Sequence, residues 1–259
     1  MKFIIYIAIA LLILLLLNNP DLFFFSFFSI AILCGILYFN GKSKQNIEQI
    51  YSAKTYDISD YIDEEFLSNF DYSSIKTGKY LVVDLETTGL NAANSDIVQI
   101  AWVLLDKDLK FIEFNSFIIK QTKKVPIAAY EIHGIDKETS IKYGVEKSYA
   151  FEKFLEVYNN SKYIVGHNID FDYSFLIHHI KELVPKTTIC TMKRSTSYCE
   201  IPKYYGKGYK WPTLDELFGV LFLKTTYINP REKHSADIDV KITAKCFIML
   251  KEIGVIKRP

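Results

Sequence analysis

Apolar and polar residues are divided unevenly along the chain. Residues Phe3 to Leu17 form an apolar run, Asn18-Asn19-Pro20-Asp21 interrupts it, and a second run extends from Leu22 to Phe39. Only Ser26, Ser29, Cys34 and Gly35 are small or weakly polar in the second run. At about 1.5 Å per helical residue the runs reach roughly 22 and 27 Å, so the second is close to a minimal bilayer span and the first is short. Pro20 cannot continue a helix, so the interruption reads as a tight turn. The pattern predicts a transmembrane helical hairpin over 1–40 that meets the lipid bilayer through residues 3–39. Lys2 precedes the first run, Lys42 and Lys44 follow the second, and the turn has no Lys or Arg. By the positive-inside rule both ends face the cytoplasm. The expected localisation is the cell membrane, with the rest of the chain on the cytoplasmic side. Three alternatives compete: a cleaved signal peptide, which lacks a small-residue cleavage site here; a lipid anchor at Cys34, where Leu33 is too large; and a first run that only dips into the bilayer.

After the hairpin the pattern changes. Residues 41–77 are polar with short helical stripes at Ile47, Ile50 and Tyr51 and at Ile62, Phe66, Leu67 and Phe70, which predicts a tether. The main domain is expected over 78–259. Tyr80–Leu85 is a short β-rich apolar run and reads as a buried strand. Ile97–Leu105 and Lys110–Lys120 follow as strands, completing an antiparallel meander. Val145–Tyr158 has helical spacing, Tyr163–Val165 reads as a strand, and helices are expected over Phe171–Leu183, Leu214–Phe222 and Ala236–Leu250. Thr213 is the expected cap of the Leu214 helix. Three strands followed by alternating helix and strand imply an α/β fold, a mixed sheet flanked by helices.

Charge and cysteine content narrow the chemistry. The chain has 259 residues with 31 basic and 30 acidic side chains, and only Lys2 and Asp21 of these fall in residues 1–40. A formal charge of +1 argues against a general polyanion coat and leaves room for a local basic groove. Four cysteines without a CxxC pair do not make a disulfide framework or a zinc knuckle, and suit a reducing compartment.

Carboxylates carry the candidate chemistry. Asp84 and Glu86 stand at the end of the first strand. Side chains at i and i+2 share a face, so two like charges are held together, which is stable only beside cations. Hard divalent ions with oxygen ligands are the usual solution. Asp63/Glu65 and Asp136/Glu138 repeat the spacing, but only Asp84 follows an apolar strand and precedes Thr87-Thr88-Gly89. A second group is Gly166-His167-Asn168-Ile169-Asp170-Phe171-Asp172, in which Asp170 and Asp172 are rivals and either suits a helix's first turn. The third is His234-Ser-Ala-Asp-Ile-Asp239. Asp237 and Asp239 differ by about 200° around a helix and cannot both face one site. His167 and Asp172 share the His234–Asp239 spacing.

Together the three groups resemble the DEDD superfamily of 3′→5′ exonucleases, in its histidine-containing DEDDh (DnaQ-like) branch. That branch includes the proofreading subunit of bacterial DNA polymerase III and ribonuclease T. The matching residues run in order as Asp84-x-Glu86-Thr-Thr-Gly, Asn168-x-x-Phe171-Asp172-x-x-Phe175-Leu176 and His234-x4-Asp239, over about residues 79–252. The resemblance selects Asp172 over Asp170 and Asp239 over Asp237. It implies a ribonuclease H-like fold and two divalent ions, Mg²⁺ or Mn²⁺, held by Asp84, Glu86, Asp172 and Asp239. His234 would take the proton from the attacking water. Thr87, Thr88, Leu90, His133 of the Ile132-His133-Gly134-Ile135 element, Asn168 and Phe171 would hold the terminal nucleotide, whereas Phe175 reads as core. The implied substrate is a single-stranded DNA or RNA 3′ end, with DNA ranked ahead of RNA, and 5′-mononucleotides are the product. A catalytically idle binding module and a membrane scaffold on the same fold are the alternatives.

Lys203-Tyr-Tyr-Gly-Lys-Gly-Tyr-Lys-Trp-Pro212 interleaves basic and aromatic residues. It suits phosphates and unpaired bases, or equally a surface loop whose Trp211 packs on the next helix. His178 and His179 read as ordinary helix residues, and Cys190 and Cys199 as packing.

Overall fold

The computed structural model describes residues 78–226, 228, 231 and 233–257. The expected membrane hairpin at 1–40 and tether at 41–77 lie outside these residues. Among the described residues no helix is long and apolar enough to cross a membrane.

Five strands form one sheet. β1 (Tyr80–Thr87) pairs antiparallel with β2 (Ile97–Leu105), which pairs antiparallel with β3 (Phe111–Ile118). On the other side β1 pairs parallel with β4 (Tyr163–Gly166), and β4 with β5 (Thr187–Cys190), giving the order β3-β2-β1-β4-β5. The helices are α1 (Ile127–His133), α2 (Lys137–Tyr143), α3 (Lys147–Asn159), α4 (Ile169–His179), α5 (Thr191–Cys199), α6 (Leu214–Phe218) and α7 (Ala236–Glu252).

Strand alternation sorts the core into two halves. Tyr80 and Val82 join Val240, Ala244 and Phe247 of α7 on one face; Leu81, Val83 and Leu85 join Phe154 of α3 and Phe175 of α4 on the other. Both faces of β2 are covered, and all nine of its residues are buried. This is the mixed sheet flanked by helices that the sequence implies.

Three expected elements differ in extent. α4 starts two residues early, at Ile169, because Asn168 takes a left-handed conformation (φ 66°) and turns the chain out of β4. It stops at His179 instead of Leu183. The helix expected over Leu214–Phe222 is α-helical only to Phe218, and Gly219–Leu223 forms a π-helical turn. Its cap is as expected: Glu216 N–H donates to Thr213 Oγ1 at 3.2 Å, and the Glu216 carboxylate accepts from Thr213 N–H at 2.8 Å. α1, α2, β5 and α5 have no counterpart among the expected elements.

Candidate active site

The site grows out of the end of β1. Asp84 and Glu86 continue the Tyr80–Val82 stripe, so both carboxylates point toward α7. α7 is fixed against the sheet by Gln99, whose Oε1 accepts from Ala236 N–H at 3.1 Å. Gln99 Nε2 donates to Ser116 Oγ at 3.0 Å and to Asp237 Oδ1 at 3.4 Å. Asp237, in the first turn of α7, is thereby held to Gln99 of β2, and Asp239 sits beside the β1 carboxylates. Carboxylate oxygens of Asp84, Glu86 and Asp239 lie within 4.8 Å of one another.

Asp172 arrives from the opposite face of the sheet. β4 pairs with β1 only as far as Val82, which leaves the later backbone of β1 open on that side. Asp172 Oδ1 accepts from Leu85 N–H at 3.1 Å, between the two β1 carboxylates in sequence. Asp170 points elsewhere and pairs with Lys193. Asp172 thus bonds to β1, whereas Asp170 and Asp237 are engaged by Lys193 and Gln99.

Burial and mutual repulsion dominate the electrostatics. Burial raises the Asp84 carboxyl well above its usual range, and Asp239, Asp172 and Glu86 raise it further. Burial, then Asp239, pushes Glu86 up to about 7. Asp172 is raised by burial, although the Leu85 N–H opposes this. His234 Nδ1 lies 3.0 Å from Asp239 Oδ2, and that hydrogen bond raises the imidazole. A group of buried carboxylates this close calls for cationic charge, and an all-oxygen donor set fits Mg²⁺ or Mn²⁺.

One site residue is absent from the sequence expectations. The Arg231 Nε donates to Asp215 Oδ1 at 2.8 Å, and its Nη1 donates to Asp239 Oδ1. Asp215 is itself buried. Burial pulls the guanidinium down, but Asp239 and Asp215 outweigh it, so its charge is secure. Both Asp239 oxygens thus have protein partners, Arg231 on one and His234 on the other. An acidic residue set between the apolar Leu214 and Leu217 in α6 is the one sequence signal that points to a buried cation.

The expected nucleotide-side residues lie on the β1 turn, on α1 and at the start of α4. His133 ends α1 and is buried; its Nδ1 accepts from Ile135 N–H at 3.1 Å, while Nε2 has no hydrogen-bond partner. Burial lowers its pKa, against a contact with the Thr87 backbone that raises it, and the Ile135 N–H on Nδ1 assigns a ring proton to Nε2. His234 N–H donates to Ile132 O at 2.8 Å, which ties the His133 element to the His234 loop. Thr87 Oγ1 donates to Gly89 O at 2.7 Å, and Thr88 Oγ1 accepts from Asp96 N–H at 2.9 Å. These bonds shape the turn that leaves Leu90 88% exposed. Asn168 is exposed, Phe171 half-buried, and Phe175 fully buried as core.

His167 lies outside the cluster. Its ring nitrogens meet Thr191 Oγ1 and Pro212 O, each at 3.0 Å, and burial lowers its pKa to about 4. It is a neutral structural bridge. His179 likewise bridges Ser95 O at 2.9 Å and Lys147 Nζ at 3.2 Å.

The family model described as an exonuclease, of the RNase T type, matches residues 81–247. The chain is 30% identical over 234 residues to a PolC-type DNA polymerase III of Thermotoga petrophila, covering 86% of this chain and 16% of that protein. It is 26% identical over 178 residues to the 3′-5′ exonuclease DinG of Bacillus subtilis, covering 67% of this chain and 18% of that protein. The chain thus spans about one-sixth of the length of these relatives. Exonuclease I of E. coli in complex with a dA16 oligonucleotide has a similar fold, with a TM-score of 0.53 and 18% identity over 67% of this chain and 40% of that one. The chain belongs to the DEDDh, DnaQ-like family of 3′→5′ exonucleases.

Proposed function

We propose that this chain is a metal-dependent 3′→5′ exonuclease that hydrolyses phosphodiesters at single-stranded 3′ ends and releases 5′-mononucleotides, with DNA ahead of RNA. The observation that carries this is the convergence of Asp84, Glu86 and Asp239 within 4.8 Å, with His234 hydrogen-bonded to Asp239 and Asp172 seated against Leu85. A DinG relative named as a 3′-5′ exonuclease and a neighbour crystallised with an oligonucleotide support it.

Asp84, Glu86, Asp172 and Asp239 would hold two divalent ions, which when bound activate water and neutralise charge on the phosphoryl oxygens. The chain's own residues do the rest. Asp239 anchors Nδ1 of His234 and leaves Nε2 to accept the water proton, the role an imidazole fills near neutral pH. His133 places its Nε2–H beside the Thr87 backbone, where it is suited to meet a substrate oxygen. Leu90 stands free to press against the terminal base. Arg231 supplies the buried countercharge and shares Asp239 with any ion that enters.

The test uses the purified full-length chain with 5′-labelled DNA and RNA oligonucleotides in Mg²⁺ or Mn²⁺. The expected result is a ladder shortening from the 3′ end, abolished in Asp84→Ala and lowered about 10²–10⁴-fold in His234→Ala. Binding without product would favour the idle module. We also propose that residues 1–40 anchor the chain in the cell membrane, with 41–77 as tether and the catalytic domain, 78–259, in the cytoplasm. The support is the apolar pattern and the placement of Lys2, Lys42 and Lys44. Carbonate-resistant membrane pelleting, lost on deleting 1–40, is the expected result.

A further inference from the structure

The site chemistry leaves one surface unexplained. Between Ile201 and Lys210 the chain makes a small hairpin in which Pro202 pairs antiparallel with Tyr209. Lys203 N–H donates to Gly208 O at 3.2 Å, and Lys210 N–H donates to Ile201 O at 2.9 Å. Gly206 and Gly208, at φ +85° and +90°, make the turn in a region that disfavours side chains. The tip holds Tyr204 and Tyr205, 89% and 82% exposed, with their rings edge to face and centroids 4.5 Å apart. Tyr209 and Trp211 are exposed as well. Trp211 therefore does not bury itself on α6. Four large rings in water on one projecting segment are unusual for a surface with no partner.

The charge on this segment is one-sided. Residues 201–212 carry three lysines and no Asp or Glu. Lys210 is taken by Glu216 at 2.6 Å. Lys203 and Lys207 are exposed and have no carboxylate partner among the described residues.

Its placement is the third observation. β1, β4 and β5 are parallel, so their C-terminal ends share one edge of the sheet, the edge where Asp84 and Glu86 stand. The hairpin is pinned to that edge by Pro212 O, 3.0 Å from Nε2 of His167, which directly follows β4. Lys193 Nζ sits 5.8 Å from the Trp211 ring and pairs with Asp170, two residues before Asp172.

We propose that the hairpin is a stacking platform for single-stranded nucleic acid. Tyr204, Tyr205, Tyr209 and Trp211 hold unpaired bases on the 5′ side of the terminal nucleotide, and Lys203 and Lys207 meet the phosphates between them. This rests on the exonuclease reading above and specifies how that site grips a strand longer than the residue it cleaves. Ring faces accept any base, so the grip is tolerant of sequence. Two rings at right angles need splayed bases, which a duplex does not offer.

Two readouts on the full-length chain test this. The first is the anisotropy of a fluorescein-labelled oligothymidylate of about twenty nucleotides, in Ca²⁺ to slow cleavage. The second is turnover of p-nitrophenyl thymidine 5′-phosphate in Mn²⁺, a substrate too short to reach the hairpin. Tyr204→Ala/Tyr205→Ala and Trp211→Ala should each raise the oligonucleotide Kd by about tenfold. Lys203→Gln/Lys207→Gln should lower the slope of log affinity against log salt by about 1.4. Turnover of the small substrate should be unchanged in all three. Unchanged Kd values and salt slope overturn the proposal, as does a drop in small-substrate turnover that matches the loss of oligonucleotide affinity, which marks a structural role. If the wild-type chain turns over neither the small substrate nor the oligonucleotide transferred to Mn²⁺, the exonuclease reading falls, while the anisotropy comparison still decides the platform.

Discussion

Replacing Glu86 by Gln should make the chain more stable when metal is withheld. The Glu86 carboxyl is raised from an ordinary 4.5 to about 7, first by burial and then by Asp239. An acid raised on folding is bound to its proton more tightly in the folded state. Stability from this group is therefore full below pH 4.5 and is lost as pH climbs to about 7. A shift of about 2.5 units corresponds to roughly 3 kcal/mol at pH 8. Gln has nearly the same shape and no charge, so it escapes that cost. At about 2–4 °C per kcal/mol for a domain of this size, Glu86→Gln should melt some 6–12 °C higher than wild type at pH 8 in chelator. The gap should close by about pH 4.5. Added Mn²⁺ should stabilise the wild type, by about 2.7 kcal/mol per site at a hundredfold excess over Kd, and so raise its Tm, and should stabilise the variant much less. The assay is thermal melting across pH with and without metal. A Glu86→Gln chain that gains nothing at pH 8, or whose advantage is independent of pH, would refute the crowded-carboxylate argument.

Two further outcomes follow from the same geometry. Asp172→Asn keeps an oxygen for Leu85 N–H, so the chain should fold normally by circular dichroism while hydrolysis drops by several powers of ten in a product-release assay. Arg231→Gln strips the buried countercharge from Asp215 and Asp239, and should cost about 3–5 kcal/mol of metal-free stability at pH 8 by denaturant titration. The same change frees an Asp239 oxygen, so Mn²⁺ affinity by calorimetry should rise.

How much of the fold is legible in the sequence depends on length and period. β1 and β2 are legible because a mostly apolar run of strand length, rich in β-branched residues, suits a strand buried on both faces. α3 and α7 are legible because they are long enough to repeat a buried stripe. α1 buries only Ala129 and His133 in seven residues, too few to show a period. α5 has a polar sequence anchored by Met192, Ser195 and Cys199, and its Ser and Thr residues read as turn formers. Asp84 and Glu86 stand out because they follow an apolar stripe within one strand, whereas Asp172, His234 and Asp239 are picked out only by the resemblance to the exonuclease family, since Asp170, Asp237 and His167 share their local patterns. What fixes them is harder to see. Gln99 is the one amide in an otherwise apolar strand, a signal that it must serve a buried partner, and that partner is the start of α7. Arg231 lies in a loop between α6 and α7, where neither period nor motif marks it.

The most direct measurement is a crystal structure of the full-length chain with Mn²⁺ and a nucleoside 5′-monophosphate, read by anomalous scattering. The expected result is two peaks about 3.5–4 Å apart among Asp84, Glu86, Asp172 and Asp239, with the phosphate on the His234 side. Peaks elsewhere on the surface, or a phosphate bound far from Asp84 with Arg231 still holding Asp239, would contradict it.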